Sequence, residues 1–327
     1  MKPFEYASPK TEKQAVGLLG KSWSEAEVLA GGTDLLALMK DDVVAPKRLV
    51  NVKHIENLGE VHFDGKEMRI GALVTMGEAA DNALIKQHFP ILHEALWEAA
   101  SPQIRNMATM GGNLCQRPRC WYFRNGMGLL PVDEKGESLV LKGDNRYHAV
   151  LGNHGPSYFV SPSTIAPVLI AYGARIRLYG PEGARQLELE KFYRAPMHEG
   201  EREHALKPNE MITDIFLPAA STRAGYAEIR QKEAFDWPMA SCAAVLEMNG
   251  STVKSARIVL GQVAPVPWFS PEAALHLTGK AVTEETAMAA AHAALENARN
   301  LGKNKYKITV AKVAVKRAIL NAAKEGA

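Results

Sequence analysis

Ala30-Gly31-Gly32-Thr33-Asp34-Leu35 is the stretch on which the reading of the fold turns. Glu27-Val28-Leu29-Ala30 reads as a short strand running into it, and Leu35-Leu36-Ala37-Leu38-Met39 has the composition of a helix leaving it. A second glycine pair follows in Thr109-Met110-Gly111-Gly112-Asn113. Without Cβ atoms, paired glycines let consecutive backbone N–H groups face one concavity, which suits a pyrophosphate and commits no lysine. Two such turns can grip a dinucleotide from both sides. Taken singly, each pair is also what an ordinary tight turn looks like. Neither fits G-x-G-x-x-G or G-x-x-x-x-G-K-[ST], so the two standard phosphate-loop readings fail.

Outward from the first turn, Arg48-Leu49-Val50-Asn51-Val52 predicts a second strand, and Asp64-Gly65 sits as a two-residue hairpin turn between alternating segments. The spacing of Leu84, Ile85, Ile91, Leu92, Leu96 and Trp97 predicts two helices between Met76 and Ser101, with Pro90 in the first turn of the second. From Pro102 to about Pro156 the periodicity is lost and a long loop is expected, functional or disordered. Ser163 or Thr164 can cap a helix that runs to Tyr172 and closes at Gly173, ahead of a strand at Arg175–Tyr179. Met211–Leu217 predicts another strand, Ala219–Gly225 a small polar linker, and Asn249-Gly250 a hairpin joining Ala243–Met248 to Val253–Val263. The Ala-rich segment from Glu272 to the end reads as helical. The class is therefore α+β, in two or three domains.

The 327 residues are 46% hydrophobic and 23% charged, with a net charge of +3 from 39 basic and 36 acidic residues that are interspersed. A nucleic-acid binder is not indicated. Cys115, Cys120 and Cys242 are the only cysteines, too few for a disulfide framework and suited to a reducing compartment. The first residues carry no signal-like apolar region, and charges interrupt every apolar run well short of a membrane span, so a cytoplasmic protein without an anchor is expected. No H-E-x-x-H or Cys/His ligand set is present, nor a G-x-S-x-G elbow; no metal and no catalytic acid, base or nucleophile is expected.

The ordered series of motifs resembles the FAD-binding subunits of the xanthine dehydrogenase and carbon monoxide dehydrogenase family of molybdenum hydroxylases. It runs from Phe4-Glu5-Tyr6 and Pro9 through Ala30–Leu35, Ile70-Gly71-Ala72 with Thr75, Gln103-Ile104-Arg105-Asn106 and Thr109–Asn113 to Ser161–Pro167. The resemblance implies a vanillyl-alcohol-oxidase-type FAD domain over 1–218, in subdomains of about 1–55 and 56–218, and a smaller C-terminal domain of antiparallel sheet plus helices over 225–327. It assigns the FAD pyrophosphate to Ala30, Gly31, Gly32, Thr33, Asp34 and Leu35 and to Thr109, Met110, Gly111, Gly112 and Asn113. By the same resemblance Ile212 is a flavin or adenine contact, although it also reads as ordinary strand core, and Trp237 is an aromatic near the flavin ring. Many relatives carry a lysine where Glu228 stands, and Lys232 is only a loose substitute.

The resemblance further implies an electron-transfer subunit. A large partner would carry molybdopterin, a small partner two-iron, two-sulfur clusters, and FAD would pass electrons to NAD, oxygen or another acceptor. A stand-alone FAD oxidase or reductase is the alternative, but the region after the linker leaves little room for a substrate-covering cap. Arg117, Arg119 and Arg124 beside Trp121, Tyr122 and Phe123 read equally as FAD or partner contacts and as a solvated loop. This run also resembles the opening of an insertion that holds a four-iron, four-sulfur cluster in some relatives, with Cys120 as first ligand. Asn125–Asp144 supplies no further cysteine, and Tyr158 lies where another can occur, so a loop of that shape without metal is expected.

Overall fold

The computed structural model describes residues 1–219, 222–232 and 235–324, arranged around three sheets. The first is parallel, with β1 (Glu5–Ala7), β2 (Ala26–Leu29) and β3 (Arg48–Asn51) in the order β1-β3-β2. Parallel neighbours require crossovers, and helix Glu12–Leu18 and helix Leu35–Lys40 supply them. Val28 pairs with Val50, so the first glycine stretch leaves the sheet beside its middle strand.

The second sheet is antiparallel: β4 (Val61–Phe63), β5 (Glu67–Gly71), β6 (Arg175–Gly180), β7 (Gly183–Glu188) and β8 (Met211–Pro218), ordered β4-β5-β8-β6-β7. Its hairpin tip is Gly65-Lys66, one residue later than expected. Asp64 stands before the tip and its Oδ1 accepts from the N–H of Lys66 and Glu67, while Gly65 takes the positive φ of 88°. Central strand β8 carries an irregularity against β6, where Arg177 pairs with Asp214 but Leu178 with Ile212. This shift re-aims the strand beside the cavity described below.

Met76–Glu98 forms three helices where two are expected, Met76–Asp81, Ala83–His88 and Pro90–Glu98. Asn82 makes the extra break: it ends the first helix in an extended conformation, and its side chain caps the next by accepting from Leu84 and Ile85. The stretch expected as a long loop contains the short helices Pro102–Arg105, Met110–Cys115, Trp121–Arg124 and Leu139–Lys142. Ser163 Oγ does cap helix Ile165–Ala171, by accepting from Ala166 N–H.

The third sheet, β9 (Arg223–Ile229), β10 (Ala240–Asn249), β11 (Thr252–Gly261) and β12 (Trp268–Phe269), is antiparallel in the order β12-β11-β10-β9. Here the expected linker is corrected: Ala220 and Ser221 lie outside the described residues, but Ala224 and Gly225 are buried in β9. Gly225 is small because helix Tyr306–Lys324 lies against it. A Cβ there would stand 2.2 Å from the Ala318 carbonyl oxygen. Strand β10 alternates between two cores: Ala243 and Val245 face the core that holds helix Ile165–Ala171, while Cys242, Ala244 and Leu246 face Ala311, Ala314, Ala318 and Ile319 of the last helix. No described helix is long and apolar enough to cross a membrane.

Candidate functional site

A cavity of about 440 Å³ opens between the first sheet, the irregular end of β8, helix Met110–Cys115 and the segment that follows it. That is the size range of small-molecule and cofactor sites. Its wall contains all of Ala30–Leu35 together with Thr109, Gly111, Gly112, Asn113, Ile212 and Trp237, which the chain brings together from four distant regions. Met110 is the exception among the expected contacts. Its side chain is fully buried in the main core and does not reach the cavity.

The two glycine pairs do different work. Among the described residues, the N–H groups of Gly31, Gly32, Thr33, Asp34 and Leu35 donate to no protein acceptor. Gly32 takes φ +75°, and Gly31 permits a close approach, since a Cβ there would stand 1.8 Å from the Met107 carbonyl oxygen. The second pair is not a turn but the first turn of a helix. Met110 N–H donates to Val74 O, Gly111 N–H to Ala72 O, and Gly112 N–H to Thr109 Oγ1. Its amides are spent inside the protein, so its contribution is lack of bulk. Gly111 also serves packing, because a Cβ there would meet Ala72 Cβ at 2.8 Å.

The arginine-rich segment is neither solvated nor loosely placed. Asp34 Oδ2 accepts from Arg117 N–H at 2.8 Å, and its Oδ1 faces Arg124 Nη2 at 2.7 Å and Arg119 Nη1 at 3.0 Å. Arg117 Nε donates to the buried Glu203 at 2.9 Å. Asp34 therefore spends its carboxylate on holding this segment, and only its backbone remains for a ligand. Arg119 extends across the cavity wall, with its guanidinium carbon 4.9 Å from the Trp237 ring centroid. Trp237 is 46% exposed and Ile212 8%, which places one at the rim and the other in the floor. Lys232 is exposed, whereas Glu228 is half-buried, accepts from Tyr226 Oη at 2.7 Å and pairs with Arg230.

Sequence reading misses a second layer on the wall. Glu27 on β2 pairs with Arg202, whose guanidinium covers Trp23 at 3.9 Å, and neighbouring His204 stacks on Phe192 at 5.2 Å. Burial and the adjacent arginines push His204 well below the usual histidine range, so it is neutral. Cys115 lies in the same wall, its thiol pushed up to about 12 by burial. These residues belong to no motif and meet only through the fold; the one local signal is an acid, Glu27, in a strand otherwise apolar. Cys120 Sγ lies 3.2 Å from His148 Nε2 under Trp121 and Tyr122, and Cys242 is buried in the other core. Among the described residues, no three His, Cys, Asp or Glu side chains group as a metal site.

Residues 2–220 match the family model described as the FAD binding domain in molybdopterin dehydrogenase, and residues 224–322 match that of the CO dehydrogenase flavoprotein C-terminal domain. The chain is an FAD-binding medium subunit of the xanthine and carbon monoxide dehydrogenase family. This medium subunit is 32% identical over 325 residues to the carbon monoxide dehydrogenase medium chain of Hydrogenophaga pseudoflava, covering 98% of this chain and 96% of that one. It is 33% identical over 302 residues to the aldehyde oxidoreductase FAD-binding subunit PaoB of Escherichia coli K12, covering 91% and 93%. The solved carbon monoxide dehydrogenase from Hydrogenophaga pseudoflava, in a form lacking the Mo-pyranopterin moiety, contains a chain that superposes with a TM-score of 0.78 at 30% identity over all of both chains. The medium subunit thus has the expected class, an FAD-binding domain followed by a smaller antiparallel-sheet domain, and FAD as its cofactor.

Proposed function

We propose that FAD lies in the cleft between Ala30–Leu35 and Thr109–Asn113, with its diphosphate on the first stretch, and that it relays electrons from iron–sulfur clusters of a partner to a final acceptor. The observation that carries this is the run of amides from Gly31 to Leu35 with no protein acceptor, facing a cavity. Orphaned amides at a glycine turn call for an anion, and the apolar walls from Leu35, Leu38 and Val52 suit the rings of a dinucleotide. Bound there, FAD supplies the redox chemistry, and the chain binds it, orients it and keeps water from it. Asp34 fixes the arginine segment, Gly112 leaves room, Ile212 forms the floor and Trp237 the rim.

The domain division proposed is 1–218, in subdomains of about 1–55 and 56–218, and 225–327. The partners proposed are a large molybdopterin-binding subunit and a small subunit with two-iron, two-sulfur clusters, in a cytoplasmic assembly; NAD, oxygen or another acceptor takes the electrons. Support comes from the relatives' description as medium chains and FAD-binding subunits, and from the exposed Trp97, Ile104 and Met107. Affinity purification from the native source tests this. Co-purification of two further chains, with FAD released by denaturation, is expected. A lone flavoprotein that oxidises a small molecule by itself would favour the stand-alone alternative.

A further inference from the structure

The charges on the cavity wall do not balance. Three acids line it: Glu27, Asp34 and Glu210. Glu27 is matched by Arg202, and Glu210 by Arg185 at 2.8 and 2.9 Å. Of the lining arginines, Arg117 is matched by Glu203. Asp34 alone faces two guanidiniums, Arg119 and Arg124. Arg124 is otherwise satisfied, since its Nε donates to Pro118 O at 2.8 Å and its Nη2 also reaches Arg117 O at 3.0 Å. Arg119 is not: it has Asp34 at 3.0 Å and Gln116 at 3.4 Å, and its Nε is buried with no partner. One positive charge is thus left over, and it sits on the same cavity wall as the unbonded amides of the glycine turn.

We propose that Arg119 is the cationic contact of the bound dinucleotide, supplying counter-charge to its diphosphate where the amides supply only hydrogen bonds. The proposal rests on the reading that FAD occupies this cleft. A diphosphate brings about two negative charges, and amides alone leave them poorly compensated in a partly desolvated cavity. Asp34 and the Trp237 ring hold the guanidinium in place beforehand, so little side-chain freedom is lost when the anion arrives.

The test is FAD affinity of the apoprotein, by quenching of flavin fluorescence at low and high salt, for the wild type, Arg119→Gln and Arg119→Lys. Arg119→Gln is expected to weaken FAD about tenfold or more at low salt and to flatten the salt dependence, whereas Arg119→Lys keeps most of both. Wild-type affinity in Arg119→Gln overturns the proposal while leaving FAD in the cleft. Equal weakening in both variants with unchanged salt dependence also overturns it, and makes Arg119 a positioning residue for Trp237. A wild-type chain that binds no FAD fails the parent reading, and the proposal with it.

Discussion

At the scale of single residues, Gly32 and Gly111 look alike in the sequence and are required for different reasons. Gly32→Val should cost about 1–2 kcal/mol for a side chain at φ +75° and remove FAD, with the protein still folded. Gly111→Val should instead cost about 3 kcal/mol or more by overpacking Ala72, so its flavin loss follows from the fold. Flavin absorbance after gel filtration, read beside thermal melting of each variant, separates the two; a flavin-loaded Gly32→Val protein would remove the first turn from the site. That both pairs border one cavity is legible from the motifs. Which amides are spent is not, because Ala72, whose carbonyl takes Gly111 N–H, lies on a strand exit that no local pattern connects to the second pair.

At the scale of elements, the segment after the second pair depends on one carboxylate. Asp34→Asn keeps the shape but leaves Arg119 and Arg124 without a counter-charge, and a loss of about 2 kcal/mol is expected, seen as a lower melting temperature that rising salt partly restores. An unchanged melting temperature would mean that the carbonyls of Pro118 and Arg117 suffice. Elements with a strong period are readable in sequence: β3, helix Pro90–Glu98 with its leading proline, and the hairpin of β10 and β11. The start of β9 is not, since Gly225 is small to admit a helix backbone, and smallness looks like a linker. The arginine cluster is equally opaque, because its partners Asp34 and Glu203 lie far away in the chain.

At the scale of the whole molecule, Lys307 ties the last helix to the rest. It is fully buried and donates to Tyr147 O at 3.0 Å and Gln262 O at 2.8 Å, with its amine lowered by desolvation to about 7 from 10.5. Between those values the unfolded chain holds the proton and the folded chain does not, so stability should climb as pH rises through that window and carry the full penalty below it. Denaturant midpoints at pH 7 and 9 should rise for the wild type and stay flatter for Lys307→Met; equal slopes would place the ammonium in the folded state throughout. Anaerobically purified protein should show flavin bands alone, and about four irons per chain would overturn the reading of the segment around Cys120. Strand β10 sits between two hydrophobic cores, one residue answering to each in turn. A sheet so placed cannot be inherited separately from either neighbour: gene rearrangements that exchange one domain would strip a face from the other, and drift at Ala243 or Cys242 is held in check from opposite sides at once.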